Sequence, residues 1–342
     1  MKGLVKYALG HGNLAVSDVP EPEMKPGHVK IAIEAAGICG TDLHIYLAEY
    51  PCLPPVVLGH EIAGRIVDAD GADGLNIGDA VTAIPTVIIC GACRYCQEGQ
   101  LSLCSKRLSF GSGIHGGFTN YLVVPAWSVR KLPAHIDCVS GAMSEPLSCC
   151  VKAVSILTRV SAGDVVVVTG PGPIGLLTAQ VARAEGAYVI LTGTSVDHER
   201  LALGARWSDQ TVNIETEDLD GIVKDLTNGQ GADIVLECSG SAAATRSGID
   251  LLRKEGVMTQ IGLHSKPFEI DFFKAELKEI TIKTSFAGSL QSWDKTMALL
   301  QQGKIDLAPI VSDVVPISDW QKAFDRLLRK EGMKILFKPL EG

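Results

Sequence analysis

Four cysteines, Cys90, Cys93, Cys96 and Cys104, fall within "CGACRYCQEGQLSLC" at the spacing C-x2-C-x2-C-x7-C. Thiolates so spaced can close on one tetrahedral ion, and Gly91, Gly99 and Gln100 between them permit the tight turns required. A structural zinc is the favoured reading; free buried thiols and an iron–sulfur cluster, which also uses C-x2-C-x2-C, are the alternatives. With cysteine in all four positions, such an ion has no place left for a substrate. It would hold a loop together, and the chemistry must lie elsewhere.

A second set of metal-ligating residue types is scattered along the first half of the chain. "GICGTDLH" and "GHEIAG" supply Cys39, His44, His60 and Glu61, and "SEPLSCC" adds Glu145. A thiolate, an imidazole and a carboxylate from separate loops make a mixed shell with a position open to water or substrate, the mark of a catalytic zinc. Singly, each reads as ordinary core or surface. Cys52, Cys138, Cys149, Cys150 and Cys238 read mostly as small buried hydrophobes.

The third constellation is "VVVVTGPGPIG", where Gly170, Gly172 and Gly175 form G-x-G-x-x-G directly after an apolar strand and at a helix start. The first glycine makes the turn, the second lets backbone approach a pyrophosphate and the third lets helix pack on strand; free N–H groups around Pro173 and Ile174 hold the phosphates. An NAD site usually carries a carboxylate about 20 residues on, at the end of the second strand. Here "YVILTG" ends in Gly193, followed by Thr194 and Ser195. Without the acid, repulsion of a 2′-phosphate is gone, and the two hydroxyls could donate to it with help from His198 or Arg200. This favours NADP; Asp197 reaching the ribose is the alternative and would favour NAD.

These residues need two frames to hold them. Residues 1–150 are short apolar runs broken by Gly and Pro, the texture of an irregular β-rich domain. From 151 to 288, buried strands alternate with helices: "AGDVVVVTGPGPIGLLTAQVARAEGAYVILTG" is strand, turn, helix, strand, and "GADIVLECSG", "GVMTQIGL" and "EITIKTSFAG" add strands between helical stretches such as "AATRSGIDLLRKEG". That is a doubly wound parallel α/β sheet. After 288, two helical stretches precede a last strand, "MKILFKPL", which could return to the first domain.

"GHEIAG", "CGTDLH", the four-cysteine loop, "GPGPIG" and the closing "KILFKPL" together resemble the zinc-containing medium-chain alcohol dehydrogenase superfamily. "SEPLS" resembles its polyol (sorbitol and butanediol) and threonine dehydrogenase branch. The resemblance spans nearly the whole chain. It implies a GroES-like catalytic domain from 1–150 and 289–342 with a structural-zinc lobe at about 88–106, a Rossmann domain at 151–288, and an active site in the cleft. Cys39 and His60 would be zinc ligands, and Asp42 would orient the histidine. Glu61 is the adjacent carboxylate, while Glu145 stands where other alcohol dehydrogenases have a cysteine; which of the two binds zinc directly stays open. Thr41 would take the substrate proton and pass it by the nicotinamide ribose toward His44 and solvent. The two ligand sets give two zinc ions per chain, the glycine motif gives NAD(P), and the family resemblance implies a homotetramer or homodimer. One turn departs from its pattern, with Asp70 and Gly71 where a small residue is expected six positions beyond Gly64.

Composition narrows the function classes. The 342-residue chain is 46% hydrophobic and 20% charged, with net charge -8, an ordinary globular balance without the basic stripe that nucleic acid requires. No apolar run approaches the roughly 18 residues of a membrane span, and no secretory leader is evident, so a cytoplasmic location is expected. The leading expectation is a zinc-dependent oxidoreductase moving a hydride between a polyol, sugar alcohol or small secondary alcohol and NAD(P). An L-threonine 3-dehydrogenase and a zinc-binding descendant without activity are the alternatives. Tyr46, Phe110 and Phe118 are candidates to line the substrate pocket, with core packing as their other reading.

Overall fold

In His28–Gly37 buried side chains alternate with less buried ones, as a strand covered on one face demands. It runs antiparallel to Glu61–Ala69 along most of its length, beginning opposite Gly37 with Glu61. The structure, a computed structural model, describes residues 1–70, 73–264 and 266–340; Gly71 lies outside them. The chain divides into two units, the first being Met1–Glu145, Thr296–Gln301 and Leu307–Gly342 and the second Pro146–Lys295 and Gln302–Asp306. The first division falls inside helix Ser144–Val151 and the second inside helix Leu290–Gln301. Composition marks a change of element type rather than the point where contacts change over, so these boundaries differ slightly from 150 and 288.

The first unit is built on a seven-stranded sheet in which the C-terminal strand Lys334–Lys338 pairs with His28–Gly37, setting Leu336 opposite Gly37 and Phe337 opposite Ala36. The last segment thus does return to the first. Val29, Ile31, Ile62, Ile66, Leu122, Phe118 and Phe337 form its core, all nearly or fully buried. Each such side chain contributes about 1.5–3 kcal/mol relative to exposure. Phe110 and Phe118 belong to this core, and Tyr46 packs against Trp320 and Phe324. Packing is therefore the role the structure gives all three.

In the second unit six strands pair in parallel in the order Gln210–Asn213, Tyr188–Gly193, Val165–Thr169, Ala232–Glu237, Leu252–Gln260 and Thr281–Thr284. The order reverses between Val165–Thr169 and Ala232–Glu237, the switch point at which such sheets receive ligands. Val166, Val167 and Val168 are buried without alternation because helices cover both faces. One stretch differs from the periodicity reading: helix Ala242–Leu251 stops before "RKEG", and Leu252 opens a strand. Arg253 ties that strand start to Asp233 through a 2.6 Å ion pair, a cross-strand contact that periodicity along the chain does not carry.

Candidate active site

The short helix Gly40–Tyr46 starts on Cys39 and presents Thr41, Asp42 and His44 within two turns. Asp42 is fully buried and accepts the Cys39 N–H at 2.9 Å and the Gly59 N–H at 3.3 Å, so one carboxylate joins the two loops that carry Cys39 and His60. Its Oδ1 also lies 3.9 Å from His60 Nδ1. Burial holds the Asp42 carboxyl above its usual range, against the opposing pull of His60. Burial would lower His60, but Cys39, Asp42 and Glu145 outweigh it and raise the imidazole well above its ordinary value.

Cys39, His60 and Glu61 offer ligand atoms that all lie within 4.8 Å of one another. Soft sulfur, imidazole and carboxylate so gathered are a donor set that fits zinc. Glu145 is buried and close enough to act on His60, but is not a member of that three-residue group. Both Glu61 oxygens are engaged by Lys334 Nζ, at 2.8 and 2.7 Å, and that ammonium also donates to Ile38 O at 3.0 Å. Gly37 makes room for this arrangement, since a Cβ there would stand 2.1 Å from Glu61 Oε2. Thr41 Oγ1 is 3.7 Å from Cys39 Sγ, and His44 Nδ1 meets Glu49 Oε2 at 2.7 Å near the surface.

The four-cysteine loop also closes on itself. Cys90, Cys93, Cys96 and Cys104 bring their sulfurs within 4.8 Å of one another. Cys93 and Cys90 lie 3.5 and 3.9 Å from Cys96, which brackets the ~3.8 Å separation of two thiolates on a tetrahedral zinc. Backbone N–H groups of Ala92 and Cys93 pull the Cys90 thiol down to about 6, while burial pushes Cys96 up. The donor set fits a structural zinc.

The glycine turn has the form the motif predicts. Gly170 sits at φ +83°, where glycine is at no disadvantage, and a Cβ on Gly175 would stand 1.9 Å from Gly170 O. Gly172 caps helix Pro173–Ala184; Pro173 at its first position carries no N–H, so the N–H groups of Ile174 and Gly175 are the donors left at the open end. At the end of the second strand, a Cβ on Gly193 would stand 3.0 Å from Pro171 and 3.2 Å from Asp197, so a side chain there needs its neighbours to give way. Two carboxylates stand nearby instead. Asp197 accepts from the Thr194 hydroxyl at 2.8 Å and its N–H at 3.1 Å, and Glu215 accepts from the Ser195 N–H at 3.0 Å. Arg200 lies 3.7 Å from Asp197, and His198 is solvent-exposed beside Glu199.

The alcohol dehydrogenase GroES-like domain family matches residues 25–134, and the zinc-binding dehydrogenase family matches residues 173–302. A sorbitol dehydrogenase of Halalkalibacterium halodurans is 42% identical, covering 100% of both chains. The chain belongs to the zinc-containing medium-chain alcohol dehydrogenases. An L-threonine 3-dehydrogenase of Pyrococcus horikoshii is 35% identical to this dehydrogenase over 98% of each chain. A zinc-binding dehydrogenase of Sinorhizobium meliloti, solved bound to NADP, superposes with TM-score 0.89 at 30% identity and covers 99% of each chain.

Several partners of this dehydrogenase's site residues escape a sequence reading. Lys334 is 273 residues from Glu61, and only the return of the last strand could reveal it. Glu49 follows His44 by five positions, outside helical pairing. Glu215 reaches Ser195 from the end of the neighbouring strand, which strand order fixes and local pattern does not.

Proposed function

We propose that this chain is a zinc-dependent, NAD(P)-linked dehydrogenase of polyols, with Cys39, His60 and Glu61 as the catalytic metal site. The juxtaposition of those three donors carries the reading. The 42% identity to a sorbitol dehydrogenase, against 35% to the threonine enzyme, supports a polyol over L-threonine. Glu145 is the further carboxylate available to the same metal, directly or through water. A second zinc belongs to Cys90, Cys93, Cys96 and Cys104, giving two per chain.

Bound zinc supplies Lewis-acid stabilisation of negative charge on the substrate oxygen, and the nicotinamide supplies the hydride acceptor. The chain's own residues do the rest. Asp42 ties down the backbone at Cys39 and at Gly59, the residue before His60, and sets a carboxylate beside the imidazole, so both donors keep their aim. Lys334 holds the Glu61 carboxylate in place. Thr41 Oγ1 would accept the proton of the substrate hydroxyl as it releases its own hydroxyl proton toward His44, three residues on along the helix, which would pass it to solvent beside Glu49.

Gly170, Gly172 and Gly175 with the first turn of helix Pro173–Ala184 would hold the pyrophosphate. Gly193, Thr194 and Ser195 would border the adenosine ribose. Asp197 and Glu215 support NAD over the NADP expected from the missing acid, since ribose hydroxyls can donate to carboxylates that would repel a 2′-phosphate. A cytoplasmic location fits the zinc-thiolate reading of the cysteine clusters, which a reducing compartment favours. A homo-oligomer, dimer or tetramer, fits the exposed edge strand Thr281–Thr284 with exposed Phe272, Phe273 and Leu277 nearby in sequence.

The testing experiment follows reduced nicotinamide by its near-ultraviolet absorbance across polyols, secondary alcohols and L-threonine, each with NAD and with NADP. Turnover on polyols supports the reading. Turnover on L-threonine alone replaces it with the amino-acid enzyme.

A further inference from the structure

Glu237 ends the strand Ala232–Glu237 at the switch point of the parallel sheet, after the apolar run Val235 and Leu236. It is fully buried. A buried carboxylate is costly unless its lone pairs are satisfied. Here Oε1 accepts from Thr169 Oγ1 at 3.1 Å, from the Ser239 N–H at 2.8 Å and from the Ser239 hydroxyl. Oε2 accepts from the Gly240 N–H at 3.0 Å and from the Gln260 side-chain amide. Thr169 and Gln260 are also its register partners on the two flanking strands. One carboxylate therefore gathers the ends of three strands and the backbone of the loop that follows its own.

That loop backs the glycine turn. A Cβ on Gly170 would meet Ser239 Cβ at 2.7 Å, Cα at 2.9 Å and N at 3.1 Å, so Ser239 cannot move toward the turn without displacing Gly170. Main-chain bonds repeat the link, with Cys238 N–H donating to Thr169 O at 3.1 Å and Gly262 N–H to Glu237 O at 2.8 Å. We propose that Glu237 is a positioning residue for the dinucleotide: it fixes the 238–240 loop against the Gly170 turn and so sets the backbone on which the pyrophosphate half of the cofactor rests. The inference depends on the reading of that turn as the cofactor site.

The Glu237→Gln side chain keeps its shape but offers an NH2 where only donors await, so at least one donor loses its acceptor. We expect cofactor Kd, read by quenching of protein fluorescence on adding NADH or NADPH, to rise about tenfold. At saturating cofactor, the KM for the alcohol and the zinc content should stay at wild-type values. Ser239→Ala, at an exposed position that tolerates truncation, should raise the same Kd by a smaller factor, and it decides the matter if Glu237→Gln does not fold. A lowered melting temperature with cofactor Kd unchanged in both variants would mean that Glu237 only stabilises the sheet, overturning the proposal. Gly175→Ala serves as the control on the underlying reading. If that variant binds cofactor like wild type, the turn is not the cofactor site; if it loses binding while the other two retain it, only the role of Glu237 is lost.

Discussion

Lys334 Nζ spans both carboxylate oxygens of Glu61, at 2.8 and 2.7 Å, with the two side chains 6% and 1% exposed. Burial alone would lower this ammonium, but Glu61 and Cys39 raise it above its usual range, so it stays charged at any ordinary pH. Removing one partner of such a pair strands a buried charge. Lys334→Met should cost about 3–5 kcal/mol in denaturant unfolding. Adding Glu61→Gln should recover most of that loss, and a double variant no more stable than the single would contradict the pairing.

Asp42 should matter to rate more than its distance from substrate chemistry suggests. Its carboxylate holds the Cys39 and Gly59 N–H groups and faces His60. Asp42→Asn should lower kcat/KM or zinc affinity by about 10- to 100-fold. Steady-state kinetics with zinc analysis on the same sample checks it.

Metal content separates the two cysteine sites. The native chain should bind about two zinc ions. Cys39→Ser should lose one and abolish turnover while cofactor binding persists. Cys104→Ser should lose the other and unfold more readily, yet retain turnover at temperatures where it remains folded. Equal loss of activity per folded molecule in both variants would contradict the division of roles.

Cofactor choice should rest on carboxylates rather than on Gly193. Glu215→Gln and Asp197→Asn should each raise kcat/KM for NADP relative to NAD by about five- to tenfold, by removing repulsion of the 2′-phosphate. Hydrogen bonds from Ser195 hold Glu215 below the usual carboxylate range, so it is charged above that range and would be neutralised only in acid. The ratio of kcat/KM for NAD and NADP should therefore stay flat from about pH 6 to 9.

Much of this was legible in the chain. The G-x-G-x-x-G turn and the C-x2-C-x2-C-x7-C loop are local, so spacing alone conveys their geometry, and both close as read. The donors Cys39, His60 and Glu61 stood out by residue type, but which of the candidates His44, Glu61 and Glu145 join Cys39 and His60 was not fixed locally, because nothing local joins residue 39 to residue 60. What stayed hidden depends on strand pairing. Lys334 opposite Glu61, Glu215 beside Ser195 and Gln260 on Glu237 each follow from which strands are neighbours. Gly193 also fits tightly beside Pro171 and Asp197, a contact that its place at a strand end does not display.

The most direct test of a zinc-dependent polyol dehydrogenase is to follow NAD reduction with sorbitol before chelation, after removal of metal, and after zinc is restored. We expect turnover that disappears with the metal and returns with added zinc. Sorbitol oxidation that continues undiminished in protein shown by metal analysis to hold no zinc would falsify the account.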